Sequence, residues 1–264
     1  MHTLGSFDGN YPAADMCRAA VENGLATIAI TDHFDVDFFE RHNLDVRQKA
    51  SYEDICSAKT EFDGKIRLLR GIEMGQPAYE PEITEKALAR YEYDFVIGSI
   101  HNLRGMPDFS DLDYPNYTDE KIYSLLDEYF NEELILAKWN GFDTLAHLTY
   151  PLRYLAQHGR TDIDLSRFDD ITDEIFKVLI ANGKALEINT SGLRQPIGKT
   201  MPTDNYVRRF RELGGELLTI GSDAHFTEHA GAGIDAGYEI AENCGFRYVT
   251  YFENRKPVQV KIEK

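Results

Sequence analysis

The sequence predicts an α/β fold in which parallel strands alternate with helices and form a TIM-like barrel. Short β-branched or apolar runs are repeatedly followed by segments with helical spacing, which is typical of βα units. No GxGxxG motif follows the first run, although an open dinucleotide-binding sheet needs those glycines to cradle a pyrophosphate. The nearest match, GAGIDAG at 231–237, comes late and has the wrong spacing. Six or seven βα units therefore favour a barrel.

The predicted elements follow one another in a regular order. The strands are TIAITDH at 27–33, IRLLRGIE at 66–73, DFVIGSIH at 94–101, DTLAHL at 143–148, KALEINTSG at 184–192 and ELLTIGSDAH at 216–225. Helical segments at 12–23, 119–140, 169–182 and 203–213 lie between them. Each helical segment opens near Pro, Asp or Thr, and several close before Gly, as helix ends usually do.

The chain is interpreted as a single domain over residues 1–264. This length allows one substantial core, and no linker rich in Pro, Gly or Ser interrupts it. The polar segment DFSDLDYPNYTDE at 108–120 predicts one long loop. No apolar run approaches the roughly 20 residues that cross a bilayer, and no secretory signal opens the chain. A cytoplasmic location without membrane contact is therefore expected.

The charge balance limits the class of partner. The chain has 28 basic and 45 acidic residues, a net charge of −17, which would repel nucleic acid. A small phosphorylated substrate stays compatible with this charge because bound cations can reverse the local field. The three cysteines, Cys17, Cys56 and Cys244, are odd in number and form no CxxC pair. They are predicted to be reduced core thiols, which argues against a disulfide framework.

Polar residues that could share one site end the predicted strands. In a parallel barrel the carboxyl ends of the strands converge on one face. Any one histidine there is more often a hydrogen-bonded core or loop residue, and an aspartate in GSDAH could simply cap a helix. The joint pattern favours a shared site. The candidates at or just past the strand ends are His33, Glu73, His101, His147, Asp223 and His225, and His2 and Asp8 precede the first helix.

The candidate residues have the chemistry of a metal cluster. Imidazoles together with carboxylates are the ligands expected for zinc, manganese or iron. The eight candidates exceed the needs of one tetrahedral ion, so two to three divalent metals are predicted, with Glu73 or another carboxylate bridging two of them. Such a cluster suits hydrolysis, because metals generate hydroxide near neutral pH and neutralise phosphoryl charge.

The motifs of this chain resemble those of the PHP phosphoesterase family. MHTLGSFDG, ITDHFD, RGIEMG, VIGSIHNL, DTLAHLTYPLRY, EINTSGLR and TIGSDAH occur in the family's order and span nearly the whole chain. EINTSGLR, AHLTYPLRY and the chain length are most similar to the histidinol-phosphatase branch. That branch hydrolyses L-histidinol phosphate, with inorganic phosphate as the second product, in histidine biosynthesis.

The resemblance implies a distorted seven-stranded barrel and three metal positions. The nucleophile would be a hydroxide that bridges two metals, without a phosphoenzyme. The first metal would be held by His2, Glu73 and Asp223, the second by Glu73, His101 and His147, and the third by Asp8, His33 and His225.

Four residues are predicted to act on the substrate. Asp223 and His225 are candidates for protonating the leaving alkoxide. Arg153 and Arg194 are candidate phosphate clamps, because a guanidinium pairs bidentately with phosphate oxygens. The alternative for either arginine is a surface salt bridge.

The amino-terminal motif departs from the family pattern. In the family a first His stands two positions before the second, whereas only Met1 precedes His2 here. Either the start lies upstream, with Met1 between the two histidines, or one ligand of the first metal has been lost. The first explanation is preferred, because a strand that begins at its own carboxyl end is hard to justify.

Three functions stay open at this point. The leading hypothesis is hydrolysis of histidinol phosphate. A second is hydrolysis of another small phosphomonoester or a nucleotide, because loops determine substrate choice on a shared fold. A third is a non-catalytic metal-binding or interaction module, to which the missing His gives weight. A nuclease role is disfavoured, because no basic patch with interleaved aromatic residues is present. The sequence does not predict an oligomeric state.

Overall fold

The structure, a computed structural model, describes residues 1–263 of the chain. Its strands are β1 Thr27–Ile30, β2 His33–Asp35, β3 Arg67–Gly75, β4 Phe95–Ser99, β5 Thr144–Leu145, β6 Ala185–Asn189, β7 Leu218–Gly221, β8 Tyr248–Glu253 and β9 Lys256–Lys261. Its helices are α1 Ala13–Glu22, α2 Leu44–Glu61, α3 Pro81–Arg90, α4 Asp119–Trp139, α5 Pro151–Gln157, α6 Asp169–Ala181, α7 Asp204–Glu212 and α8 Ile234–Asn243. Every predicted helix is present, with its ends within one residue of the prediction.

Seven strands form one parallel sheet, which confirms the predicted α/β fold. The strand order is β1-β3-β4-β5-β6-β7, and β2 also pairs with β3 beyond the end of β1. Every pairing in this sheet is parallel, as strand–helix–strand units require. The sheet curls into a half-barrel and therefore brings the carboxyl ends of its strands towards one another.

The segment predicted as one strand at 27–33 is interrupted at Thr31 and Asp32. The strands on either side of the break, β1 and β2, keep one register against β3, and His33 lies opposite Glu73. Asp32 lies at the break, and its carboxylate accepts hydrogen bonds from the amino-terminal loop. The interruption therefore ties that loop to the sheet.

The amino-terminal residues lie between the two edge strands, β1 and β7. The Met1 ammonium donates to the Ala29 carbonyl (3.2 Å), and the Thr31 N–H donates to the Met1 carbonyl (2.9 Å). On the other side, the His2 N–H donates to the Ala224 carbonyl (2.8 Å). A cavity of about 480 Å³ extends from these residues between β1, β7 and β8. His2 is thus held at the mouth of the half-barrel although it belongs to no strand.

The predicted polar loop at 108–120 buries several of its side chains. Two short 3-10 turns interrupt the loop, and Phe109, Leu112 and Tyr114 are part of the main core. The Phe109 ring packs edge-to-face on Tyr129 (5.3 Å between centroids) and on Tyr150 (6.2 Å). The segment is a long loop as predicted, and its apolar side chains pack against α4 and the segment that carries Tyr150.

A carboxyl-terminal hairpin, β8–β9, was not predicted. Its turn residues Asn254 and Arg255 both have positive φ angles (50° and 62°), as a two-residue hairpin turn requires. The Arg255 side chain donates to an Asp143 carboxylate oxygen (2.6 Å) and to the Gly141 carbonyl (2.8 Å). The turn therefore anchors the hairpin against the segment that precedes β5.

The cysteines only partly match the sequence expectation. All three are free, and Cys17 and Cys244 are buried. Cys56 is only half-buried, so its predicted place in the core is wrong. Among residues 1–263, no helix combines the length and the apolar character that a membrane span needs.

Candidate metal centre

The eight predicted ligands converge at the carboxyl end of the curled sheet. His101 and His147 follow the strands β4 and β5, while Asp223 and His225 follow β7. Glu73 lies within β3, not at its end as predicted. The parallel register nevertheless places it beside His33, which opens β2, and His2 and Asp8 come from the amino-terminal segment.

The Glu73 carboxylate is the centre of the cluster. Its Oε1 lies 3.0 Å from His101 Nε2, 3.3 Å from His147 Nε2 and 3.9 Å from His33 Nδ1. Its Oε2 lies 3.5 Å from His2 Nε2. Burial alone would raise the pKa of Glu73, but the surrounding imidazoles, led by His33, hold it well below the usual range. Glu73 is therefore an anion surrounded by four imidazoles, placed to bridge cations.

His101 and His147 face Glu73 with their Nε2 atoms, which are 3.4 Å apart. The other ring nitrogen of His101, Nδ1, lies 2.7 Å from an oxygen of the buried Asp35 carboxylate. Burial opposes charging of His101, yet Asp35 and Glu73 raise its pKa well above the usual value. The Asp35 carboxylate fixes Nδ1 as a donor and leaves Nε2 directed at the cluster.

A second group of side chains lies on the other side of Glu73. His2 Nε2 is 3.3 Å from Asp223 Oδ1. The His2 ring stacks between those of His33 and His225, with centroids 4.2 Å away on each side. Burial, reinforced by these two neighbouring rings, lowers the pKa of His2 to about 4. His2 is therefore a neutral imidazole at neutral pH and retains a lone pair for a cation.

Asp8 and His225 form the outer, more exposed part of the cluster. Asp8 Oδ2 lies 3.1 Å from His225 Nε2 and 3.8 Å from His33 Nε2. Burial would raise the pKa of Asp8, but the two histidines lower it below its usual range. The Asp8 side chain is 41% exposed, whereas that of Glu73 is 5% exposed. The cluster thus runs from a buried centre to an open edge that a substrate can reach.

Both predicted arginines lie beside Asp223. Arg194 Nη2 donates to the Asp223 carbonyl (2.8 Å), while Arg194 Nη1 is buried and has no hydrogen-bond partner among the described residues. Arg153 Nη1 is 3.6 Å from Asp223 Oδ2, and its guanidinium lies over the rings of Tyr150 (4.7 Å) and Tyr154 (4.8 Å). Both guanidinium groups are therefore part of the cluster's surroundings.

The donor set fits divalent metal ions. Buried nitrogens that converge on one carboxylate are costly unless a cation satisfies their lone pairs. One of these nitrogens, His33 Nδ1, has no hydrogen-bond partner in the part of the chain that the structure describes. Imidazole with carboxylate favours zinc, manganese or iron over calcium. Three groups have ligand atoms within 4.8 Å of one another: His2 with His33 and His225, His33 with Asp35 and His101, and Glu73 with His101 and His147.

A comparison with known protein families identifies the family of this chain. The model of the PHP domain matches residues 1–191. The chain belongs to the PHP family. The match confirms the resemblance that the sequence motifs indicated, and it includes the amino-terminal loop and the strands as far as β6.

Relatives within the PHP family are similar over nearly the whole chain. A probable histidinol-phosphatase of Clostridium acetobutylicum is 30% identical over 97% of this chain and 96% of its own length. A histidinol-phosphatase of Lactococcus lactis is 26% identical over 90% of this chain and 87% of its own. A solved structure of the Lactococcus lactis histidinol phosphate phosphatase, complexed with zinc, L-histidinol and phosphate, superposes with a TM-score of 0.81 at 23% identity. It covers 98% of this chain and 97% of that chain, and it supports the same fold.

Sequence reasoning missed three buried carboxylates that surround the PHP cluster. Asp35 contacts His101, Asp32 accepts hydrogen bonds from the loop that carries His2, and the Glu187 side chain accepts from the His147 N–H (2.9 Å). Asp35 had a usable signal, because it is two positions after His33 and therefore on the same face of the strand. Asp32 and Glu187 had none, because their partners are set by tertiary packing.

Proposed function

We propose that this chain hydrolyses L-histidinol phosphate to L-histidinol and inorganic phosphate, with divalent metals held by the Glu73 cluster. The observation that carries the proposal is the convergence of four imidazoles on the buried Glu73 carboxylate, with two arginines beside the same pocket. The relatives named histidinol-phosphatase, which match the chain nearly end to end, support the choice of substrate. The interpretation of residues 1–264 as one domain stays a prediction.

The ligand assignment is part of this proposal. The close contacts support His2, Glu73 and Asp223 around a first metal, Glu73, His101 and His147 around a second, and Asp8, His33 and His225 around a third. When bound, such metals lower the pKa of water and neutralise the charge on a phosphoryl group. Glu73 is shared between two groups because its two oxygens face opposite sides.

The two arginines orient the phosphate. Arg194 Nη1 has no partner within the described residues, so a phosphate oxygen would satisfy it without breaking an existing bond. The contact of Nη2 with the Asp223 carbonyl fixes the direction of the guanidinium. Arg153 is held between Asp223 and the Tyr150 and Tyr154 rings, which keep the side chain in one place. Both arginine side chains are therefore already ordered, and they lose little conformational freedom when they bind a phosphate.

Asp223 and His225 are the proposed proton donors to the leaving alkoxide. His225 Nδ1 lies 3.1 Å from the Asp223 carbonyl, and its side chain is 20% exposed, more than that of Asp223 (12%). The imidazole therefore lies towards the open edge of the pocket, where the leaving group departs. Both residues stay candidates for this role, and each would also hold a metal.

The test is phosphate release from a panel of phosphomonoesters, with and without added metal. We expect the highest kcat/KM for histidinol phosphate, loss of activity in a chelator, and recovery with zinc, manganese or iron. Arg194→Gln should lower kcat/KM, whereas the matched control Arg209→Gln, which breaks a pair with Asp173 outside the cluster, should leave it unchanged. If kcat/KM is equal or higher for a sugar phosphate or a nucleotide, the substrate is that phosphomonoester and not histidinol phosphate.

A further inference from the structure

The Ser6 hydroxyl takes part in three hydrogen bonds beside the proposed metal centre. Its Oγ is 3.0 Å from an Asp32 carboxylate oxygen, 3.0 Å from the His33 backbone nitrogen and 3.1 Å from His2 Nδ1. Ser6 and Asp32 are both buried, so no solvent competes for these contacts. Neither side chain is among the proposed metal ligands, yet both are connected to one.

The number of protons in this arrangement decides the direction of each bond. A hydroxyl has one proton to donate and two lone pairs to accept with. The His33 N–H can only donate, and the Asp32 carboxylate can only accept. The single Ser6 proton therefore goes to Asp32, and one lone pair receives the His33 N–H. The remaining contact, with His2 Nδ1, is satisfied only if Nδ1 carries a proton.

A proton on His2 Nδ1 determines the state of the other ring nitrogen. In a neutral imidazole with Nδ1 protonated, the lone pair is on Nε2. His2 Nε2 faces Asp223 Oδ1 (3.3 Å) and Glu73 Oε2 (3.5 Å), where the first metal is assigned. A metal-binding histidine usually has its other nitrogen fixed by a carboxylate or carbonyl, which raises the affinity for the metal. Here a hydroxyl connects the carboxylate to the ring.

We propose that Ser6 and Asp32 are positioning residues that hold His2 as the Nδ1–H tautomer and thereby present His2 Nε2 to the first metal. The inference rests on the proposed metal centre. It applies to the site whose ligand set was the least certain from the sequence, because His2 has no strand of its own. His2 depends on this connection, and on the hydrogen bond from its own backbone N–H to the Ala224 carbonyl, for its orientation.

The same Asp32 carboxylate supplies a matched control. Its Oδ2 accepts from Ser51 Oγ (2.5 Å) and from Thr3 Oγ1 (2.6 Å), and neither hydroxyl contacts His2. Ser51→Ala and Ser6→Ala each remove one hydroxyl that donates to this carboxylate. Only Ser6→Ala also removes the hydrogen bond to His2 Nδ1. A comparison of the two variants therefore separates a loss of loop stability from a loss of His2 orientation.

The first measurement is the affinity of the metal-free protein for zinc, determined by competition with a coloured chelator. We expect Ser6→Ala to weaken the binding of one zinc ion about 10- to 100-fold, the usual effect of removing the partner of a metal-binding histidine. Ser51→Ala should leave that affinity unchanged, and Ser6→Thr, which keeps the hydroxyl, should restore it. Equal losses of affinity in Ser6→Ala and Ser51→Ala would overturn the proposal.

The second measurement reads the tautomer directly, first in the wild-type protein. Nitrogen-15 NMR of the metal-free protein should show His2 with a protonated Nδ1 and a lone pair on Nε2, and Ser6→Ala should shift this population. A wild-type His2 with its proton on Nε2 would overturn the proposal even if Ser6→Ala failed to fold. A wild-type chain that binds no zinc but has the Nδ1–H tautomer would instead count against the proposed function alone.

Discussion

Glu133 offers a sharp test of how burial controls charge in this core. The side chain projects from α4 into the interior, is 0% exposed, and neither carboxylate oxygen has a hydrogen-bond partner among residues 1–263. Burial raises the pKa of Glu133 from 4.5 to about 8, although the neighbouring Tyr129 hydroxyl and His101 act in the opposite direction. The carboxyl group is therefore neutral in the folded protein at pH 7.

The sign and size of the effect on stability follow from this pKa. When the pKa of a carboxyl rises on folding, the unfolded chain releases its proton first as the pH increases, so the folded state loses stability. The loss begins near pH 4.5 and is complete near pH 8. Each pKa unit corresponds to about 1.4 kcal/mol, so the full contribution of Glu133 is on the order of 5 kcal/mol. Burial also raises the pKa of Glu187 to about 8. Glu187 therefore makes the free energy of unfolding fall with increasing pH by a similar amount.

The variant is Glu133→Gln, measured by urea unfolding of the metal-free protein at several pH values from 5 to 9. We expect the variant to be close to wild type at pH 5 and more stable by several kcal/mol at pH 8.5, so its stability should fall less steeply with pH. Glu128→Gln, an exposed position on the same helix, is the control and should leave the slope unchanged. Parallel stability curves for Glu133→Gln and wild type would refute the assignment of a buried neutral carboxyl.

Three further predictions concern the metal centre. Glu73→Gln, which removes the anion that four imidazoles surround, should lower the number of bound metals by at least one, as measured by elemental analysis, and abolish phosphate release. Asp35→Asn should weaken metal binding about 10- to 100-fold in a chelator competition, because the acceptor of the His101 Nδ1–H loses its negative charge. Arg194→Gln should lower kcat/KM about 10- to 100-fold, which corresponds to one charge-assisted hydrogen bond of about 1.5–3 kcal/mol, with metal content unchanged.

The positions of the proposed metal ligands could be predicted because strand geometry fixes them locally. A residue such as His101 or His147 directly follows an apolar run, and a parallel sheet places all such ends at one edge. Glu73 was located less accurately, two residues inside β3, since a strand can continue past a polar side chain when a neighbouring strand pairs with it. The type of ligand and the direction of the strand were sufficient to predict the cluster, but not its detailed geometry.

The residues that orient the ligands could not be predicted in the same way. Glu187 reaches the His147 backbone across 40 positions, and Asp32 reaches the Ser6 hydroxyl across 26. A carboxylate in a short apolar run looks the same in a sequence whether it faces solvent, a metal or a backbone N–H. Only the packing of one strand on another decides between these cases. The hairpin β8–β9 was missed for a related reason, because its turn uses Asn254 and Arg255 where glycine is the usual signal.

The amino-terminal segment shows the limit of prediction from motifs most clearly. The motif MHTLGSFDG indicates which side chains bind metal, but it does not indicate what holds them in place. His2 precedes every strand, so its position depends on its own backbone bond to Ala224, on the bond of its neighbour Met1 to Thr31 and on the Ser6–Asp32 contact. Those partners are 4 to 222 residues away in the chain. The local sequence therefore determines the chemistry of a ligand, whereas the whole fold determines its orientation.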